Sequence, residues 1–144
     1  MSVTADDRWS ITEVLARFGD AADNRDFESL RDVFTDDATT DFGPADAHEG
    51  ITAIVAAVGD TLAHTDSTQH LNGVSIITES GTGAHARTRF IATHVRAGVE
   101  GDPIFTVAGT YDDDLVTVPA GWRIAHRKIT VTWVSGNPAV LELG

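Results

Sequence analysis

An α+β fold is predicted, with three N-terminal helices packed on one face of a strongly curved, mostly antiparallel, cone-shaped sheet. Three observations predict it. Apolar residues recur at helical spacing up to about His64 and alternate after Gln69. The alternating runs are long, rich in Val, Ile, Thr and aromatics, and joined by short turn segments, which is the pattern of an antiparallel meander. Helices segregated ahead of strands, in a chain of 144 residues, fit one α+β domain spanning 1–144. A bent sheet closed at one end by helices encloses a pocket, a common place for a small ligand.

The first helix is marked by Thr4 or Asp6 as its cap and by acidic Asp6 and Asp7 at its positive end. Ile11, Val14, Leu15, Phe18 and Ala22 form its apolar stripe, and Asn24-Arg25 breaks the pattern. Asp26 caps a short second helix whose buried face is Phe27, Leu30, Val33 and Phe34. Thr35-Asp36-Asp37 reads as a turn, Ala38 to Phe42 as a short strand, and Gly43 to Glu49 as a loop. Ile51, Ile54, Val55, Val58 and Leu62 predict a third helix reaching about His64. Four long strands follow, over Gln69–Thr78, Gly83–Ala97, Ile104–Val118 and Trp122–Val134, and residues 135–144 read as a short tail.

Composition narrows the function classes. The net charge of −12 argues against nucleic acid, whose phosphates select Lys and Arg, and against an anionic membrane surface. The chain has no cysteine, so neither disulfides nor thiolate metal sites are available. No apolar run approaches a membrane span, and the opening residues lack the basic and apolar regions of a secretory signal, so a cytoplasmic location is expected.

His70 and His94 are the candidates for chemistry. Alternation puts His70 on a face with Asn72, Val74 and Ile76, and His94 on a face with Ala86, Thr88, Phe90 and Ala92. A buried imidazole suits proton transfer, and a structural histidine bonded to a backbone carbonyl gives the same pattern. Asp23 lies roughly 120° from the centre of the first helix's stripe, on its flank; a solvated helix-end carboxylate fits that position as well as one orienting an imidazole. His48 and His64 read as solvated, and His85 and His126 could face either way. No His or Glu spacing supports a metal site, and none is expected. Asp112-Asp113-Asp114 reads as a solvated hairpin end.

Four local matches then carry a resemblance: Ala22-Asp-Asn-Arg-Asp-Phe-Glu-Ser-Leu30, Phe34-Thr-Asp-Asp-Ala38, Thr68-Gln-His-Leu-Asn72 and Gly121-Trp-Arg-Ile-Ala-His-Arg127. With the order of elements, they resemble the SnoaL-like branch of the nuclear transport factor 2-like superfamily over about Arg8 to Trp133. Within it the pattern is most similar to scytalone dehydratase and related cofactor-free dehydratases. The resemblance implies a cystatin-like α+β barrel, no cofactor, and Asp23, His70 and His94 as catalytic groups. The positions where that family carries two carbonyl-polarising tyrosines match Ala22 and Phe42, which have no hydroxyl. Tyr111 is the chain's one tyrosine, and Arg127 offers a substitute electrophile if its face points inward.

The implied activity is dehydration, isomerisation or cyclisation of a small hydrophobic carbonyl compound, cyclic, polyketide-like or steroid- or terpenoid-like. Asp23 fixes the tautomer of His70, the free nitrogen of His70 removes a proton beside a carbonyl, and His94 or protonated His70 returns one. Phe18, Phe42, Val74, Phe90 and Trp133 are expected to line the pocket, with Tyr111 and Arg127 as further substrate contacts. The same fold also hosts non-catalytic binding or assembly modules and the small subunits of ring-hydroxylating dioxygenases. A homo-dimer or homo-trimer is expected through the open sheet face that carries His85, Arg87, Arg89, Ile91, Thr93 and Val95.

Overall fold

The computed structural model describes residues 2–142, so the last two residues of the expected tail lie outside it. Helix α1 (Ala5–Asp23) starts at a capping box: Thr4 Oγ1 accepts from the Asp7 amide at 3.1 Å, and the Asp7 carboxylate accepts from the Thr4 amide at 2.9 Å. Its buried residues include Ile11, Val14, Leu15, Phe18 and Ala22, the stripe the sequence predicts. The second helix (Phe27–Asp32) is a single 3₁₀ segment. Phe27, Leu30 and Val33 are spaced by three, and at three residues per turn that spacing stacks them on one side.

Strand β1 (Phe34–Asp41) begins earlier than expected, because Thr35-Asp36-Asp37 is extended rather than a turn. Then come β2 (Ala47–Glu49) and α2 (Ile51–Leu62). The expected strand Gln69–Thr78 is two strands, β3 (Ser67–Asn72) and β4 (Ile76–Ser80). Strands β5 (Gly83–Val95), β6 (Ile104–Val118) and β7 (Gly121–Gly136) form the meander. The predicted tail contains a 3₁₀ turn (Pro138–Leu141) that seals Val140 inside.

The sheet order is β2-β1-β7-β6-β5-β3, with β4 pairing a different stretch of β5. All pairs are antiparallel except β1 with β7. Register shifts between Ala108 and Gly109 and between Asp114 and Leu115 bend β6 against β7 and deepen the curl. At the first of these a Cβ on Gly109 would collide with the Thr130 carbonyl, so glycine lets the two backbones cross closely. Helix α1, α2 and the 3₁₀ segment fill the concave side, where Ile11, Leu30, Phe34, Ile54, Leu115 and Ile124 are sealed in one cluster. Among the described residues, no helix is long and apolar enough to cross a membrane.

Candidate active site

Asp23 closes α1 at its negative end, an unfavourable place for a carboxylate. Three donors from β3 offset that cost. Its Oδ1 accepts from Thr68 Oγ1 at 2.9 Å and from His70 Nδ1 at 2.7 Å, and its Oδ2 accepts from the His70 backbone amide at 2.9 Å. A carboxylate only accepts, so Nδ1 carries a proton, and in the neutral form of the ring Nε2 is the acceptor. The close approach requires Gly19, where a Cβ would stand 2.9 Å from His70 Cβ.

Arg25 secures the turn after α1. It takes a left-handed conformation (φ 60°) and donates to the Leu62 carbonyl and, at 2.9 and 2.7 Å, to the Thr65 carbonyl and hydroxyl. A cation thus caps the C-terminal end of α2 and ties that helix to the end of α1.

On β3 and β5 the pairs Thr68–His94 and His70–Ala92 place both imidazoles on the concave face. Their ring centroids are 6.1 Å apart at 83°. His94 Nδ1 lies 3.0 Å from the Phe105 carbonyl, so it is the donor there and Nε2 is again the free acceptor. Burial lowers the His94 pKa, and the charges of His70 and Arg25 add to that, against the Phe105 carbonyl and Asp23. His94 is therefore neutral at pH 7, suited to accepting a hydrogen bond and unsuited to protonating a leaving group.

Both rings face a cavity of about 180 Å³. Phe18, Phe42, Phe90 and Tyr111 line it, as expected, with His70 and His94. Val58, Leu62, Val107, Ile129 and Leu141 also line it and were not singled out by sequence. Helical and strand periodicity carried that signal for the first four; Leu141 lies in the segment read as tail.

Three expected contacts are corrected. Val74 is 97% exposed. Between the pairs Asn72–Phe90 and Ile76–Arg87 the β3–β4 side has one residue more than β5, which reverses the alternation. Trp133 is 49% exposed on the outer face for the same reason: Gly109 pairs Val131 and Ala108 pairs Trp133, so Thr132 is an extra residue. Arg127 does point inward and is fully buried, but it is not on the cavity wall. Its Nε and Nη2 donate to Asp113 at 2.7 and 3.0 Å, and its guanidinium lies 3.9 Å from the Tyr111 ring centroid and 4.5 Å from that of Phe18. Asp113 thus sits mid-strand and sealed, while Asp112 and Asp114 face outward toward His85, so the acidic run is not a hairpin end.

The comparisons with known proteins follow the same outline. The SnoaL-like domain profile matches residues 3–128. Kfla4162 from Kribbella flavida is 27% identical, with a TM-score of 0.82 over 90% of this chain and 93% of that one. A scytalone dehydratase-like protein from Novosphingobium aromaticivorans is 22% identical, with a TM-score of 0.80 over 89% and 85%. An aromatic ring hydroxylase-like protein of the same organism is 22% identical, with a TM-score of 0.85 over 98% and 100%. No functionally curated protein matches the chain. Similarity at these identities speaks to fold, and a fold by itself does not fix the chemistry. By the profile match, which spans most of the chain, the protein belongs to the SnoaL-like family.

Proposed function

We propose that the protein is a cofactor-independent acid–base lyase or isomerase acting on a small cyclic carbonyl compound. The observation that carries the reading is the 2.7 Å contact from Asp23 to His70, whose ring lines an apolar cavity. His70 Nε2 takes a proton from the carbon beside the carbonyl, and the C–H electron pair moves into an enolate. Protonated Nε2 then returns the proton to a leaving hydroxyl, which departs as water, or to another carbon. The first outcome is dehydration and the second isomerisation. Neutral His94 accepts a hydrogen bond from the substrate hydroxyl and holds it in place. A positioned base of this kind contributes about 10²–10⁴-fold.

Cavity size narrows the substrate. An apolar cavity of about 150 Å³ takes up benzene, so about 180 Å³ suits one substituted six-membered ring. A steroid-sized molecule exceeds that volume.

The test is exchange of α-protons of cyclohexanone in D₂O, followed by NMR, because it reads proton abstraction whatever group later leaves. The native chain accelerates exchange, and His70→Gln loses about 10²–10⁴-fold with its fold intact. Equal exchange by both proteins rejects the role of His70. A binding module is the second reading, favoured by the missing hydroxyls at Ala22 and Phe42; it binds the ketone without exchange.

The reading includes self-association. Leu71, Ile91, Ala108 and Trp133 are register partners across β3, β5, β6 and β7, and form an apolar row on the outer face. A second copy of the chain would cover it.

A further inference from the structure

A count of donors and acceptors around the cavity leads to one side chain. Five polar side chains line it: Asp46, Thr61, His70, His94 and Tyr111. The Asp46 carboxylate is an acceptor. Thr61 Oγ1 donates to the Ala57 carbonyl at 2.8 Å. In the base form that the proposed reaction uses, His70 gives its N–H to Asp23, and neutral His94 gives its own to the Phe105 carbonyl. Both Nε2 atoms are acceptors. One donor is left, the Tyr111 hydroxyl.

That hydroxyl has no hydrogen-bond partner among the described residues. It is also not sealed, since the sealed unsatisfied side-chain atoms are Thr40 Oγ1 and Arg127 Nη1. Tyr111 is one of the residues that line the cavity. Its ring is clamped between Phe90, stacked at 4.1 Å and 10°, and the Arg127 guanidinium at 3.9 Å on the other face. The clamp removes ring rotation as a cost of binding, and a cation on the ring face draws electron density away from the phenol oxygen, which strengthens O–H as a donor. Asp113 holds the guanidinium there through two hydrogen bonds, so the Arg127–Asp113 pair is a positioning device set behind the ring.

Resting on the acid–base reading above, we infer that Tyr111 is the electrophilic group of the site: its hydroxyl donates a hydrogen bond to the substrate carbonyl and to the enolate oxygen that forms when His70 takes the α-proton. No proton passes from Tyr111. Burial raises its pKa well above the ordinary phenol value, despite the Arg127 charge, so it remains a donor through the reaction. The substrate class follows. It carries a carbonyl acceptor for Tyr111, an acidic C–H for His70 and a hydroxyl donor for His94, and a haloalkane with no oxygen would leave both Tyr111 and His94 unpartnered. The group that supplies the electrophile thus comes from β6, in place of the hydroxyls missing at Ala22 and Phe42.

The experiment compares cyclohexanone, which only accepts hydrogen bonds, with methylenecyclohexane, its near-isostere without the oxygen. Affinities are measured by NMR titration for the native chain and for Tyr111→Phe. The ketone-to-hydrocarbon affinity ratio falls about three- to tenfold in the variant. Its α-proton exchange rate falls about 10²–10³-fold, the usual loss on removing an oxyanion donor. Because the chain has one tyrosine, growth on 3-fluorotyrosine alters this phenol alone; the more acidic hydroxyl raises the ratio, and this arm decides if Tyr111→Phe does not fold. A ratio unmoved by both changes overturns the assignment of Tyr111 while leaving His70 in place. A native chain that takes up neither probe overturns the ligand site and the assignment together. A reduced ratio with exchange indifferent to His70→Gln supports Tyr111 as the carbonyl contact and rejects the base.

Discussion

Adding one methyl group to α1 tests the geometry of the Asp23–His70 contact. In Gly19→Ala the new Cβ meets His70 Cβ at 2.9 Å, at least half an ångström inside the ordinary contact distance of 3.4 Å or more. Neither partner gives way easily. His70 is paired to Ala92 in the sheet and its amide is bonded to Asp23. The strain therefore separates α1 from β3 and stretches the 2.7 Å contact. A mid-helix Gly→Ala exchange by itself gains about 1 kcal/mol, whereas overpacking costs about 1–3 kcal/mol. The variant is expected to be level with the native chain or up to about 2 kcal/mol less stable.

Gly59→Ala is the matched control. Its Cβ in α2 meets Phe27 Cδ2 at an ordinary 3.4 Å, so the gain of about 1 kcal/mol is kept. That is a rise of roughly 3 °C in Tm. The assay is paired thermal unfolding together with the NMR resonance of the His70 Nδ1 proton. Ketone exchange should fall about 10–10²-fold in Gly19→Ala, because misplacement by an ångström costs about 10². Equal stabilisation of the two variants, with the His70 proton unmoved in Gly19→Ala, would refute the reasoning.

Three further outcomes are expected. Burial, chiefly, lowers the His94 pKa in the folded state, so the unfolded chain binds the extra proton: stability is fully present above the unfolded imidazole value of about 6.5 and is lost as pH falls through the lower folded value. Urea midpoints measured below pH 6.5 should therefore drop less steeply in His94→Gln than in the native chain. Arg127→Met leaves Asp113 buried and unpaired and should cost about 3–5 kcal/mol, most of it recovered in the Arg127→Met/Asp113→Leu double variant, by urea denaturation. Trp133→Lys places a charge in the apolar row of the outer face and should reduce the mass seen by analytical ultracentrifugation; an unchanged mass removes that face as the association surface.

Much of the frame was legible because the signals were local. The Thr4 cap and the stripe from Ile11 to Ala22 fix α1 without outside help, and unbroken alternation in β5 from Ala84 to Val95 places His94 inward. What defeated the reading was single-residue insertion. Val74 and Trp133 each lie beyond one extra residue, and nothing in the composition of Gly73–Ser75 or of Thr132 declares which strand will carry the surplus. Asp113 was hidden differently. An acidic triplet looks solvated until a guanidinium fourteen residues later in sequence arrives beside it. Asp23 could only be placed on a flank of its helix, since its partners Thr68 and His70 come from a strand with no sequence link to α1.

The parallel contact between β1 and β7 has a consequence for synthesis. On one side Thr40 pairs with the three-residue β2, but its other sheet neighbour is Arg127, so β1 emerges from the ribosome with one edge open. Phe34 can meet Phe18 of α1 early, but the side of Phe34 and Ala38 that β7 covers stays open until nearly the whole polypeptide has been made. Premature termination before Gly121 would therefore yield not a weaker protein but a sticky one, without the partner that closes its hollow.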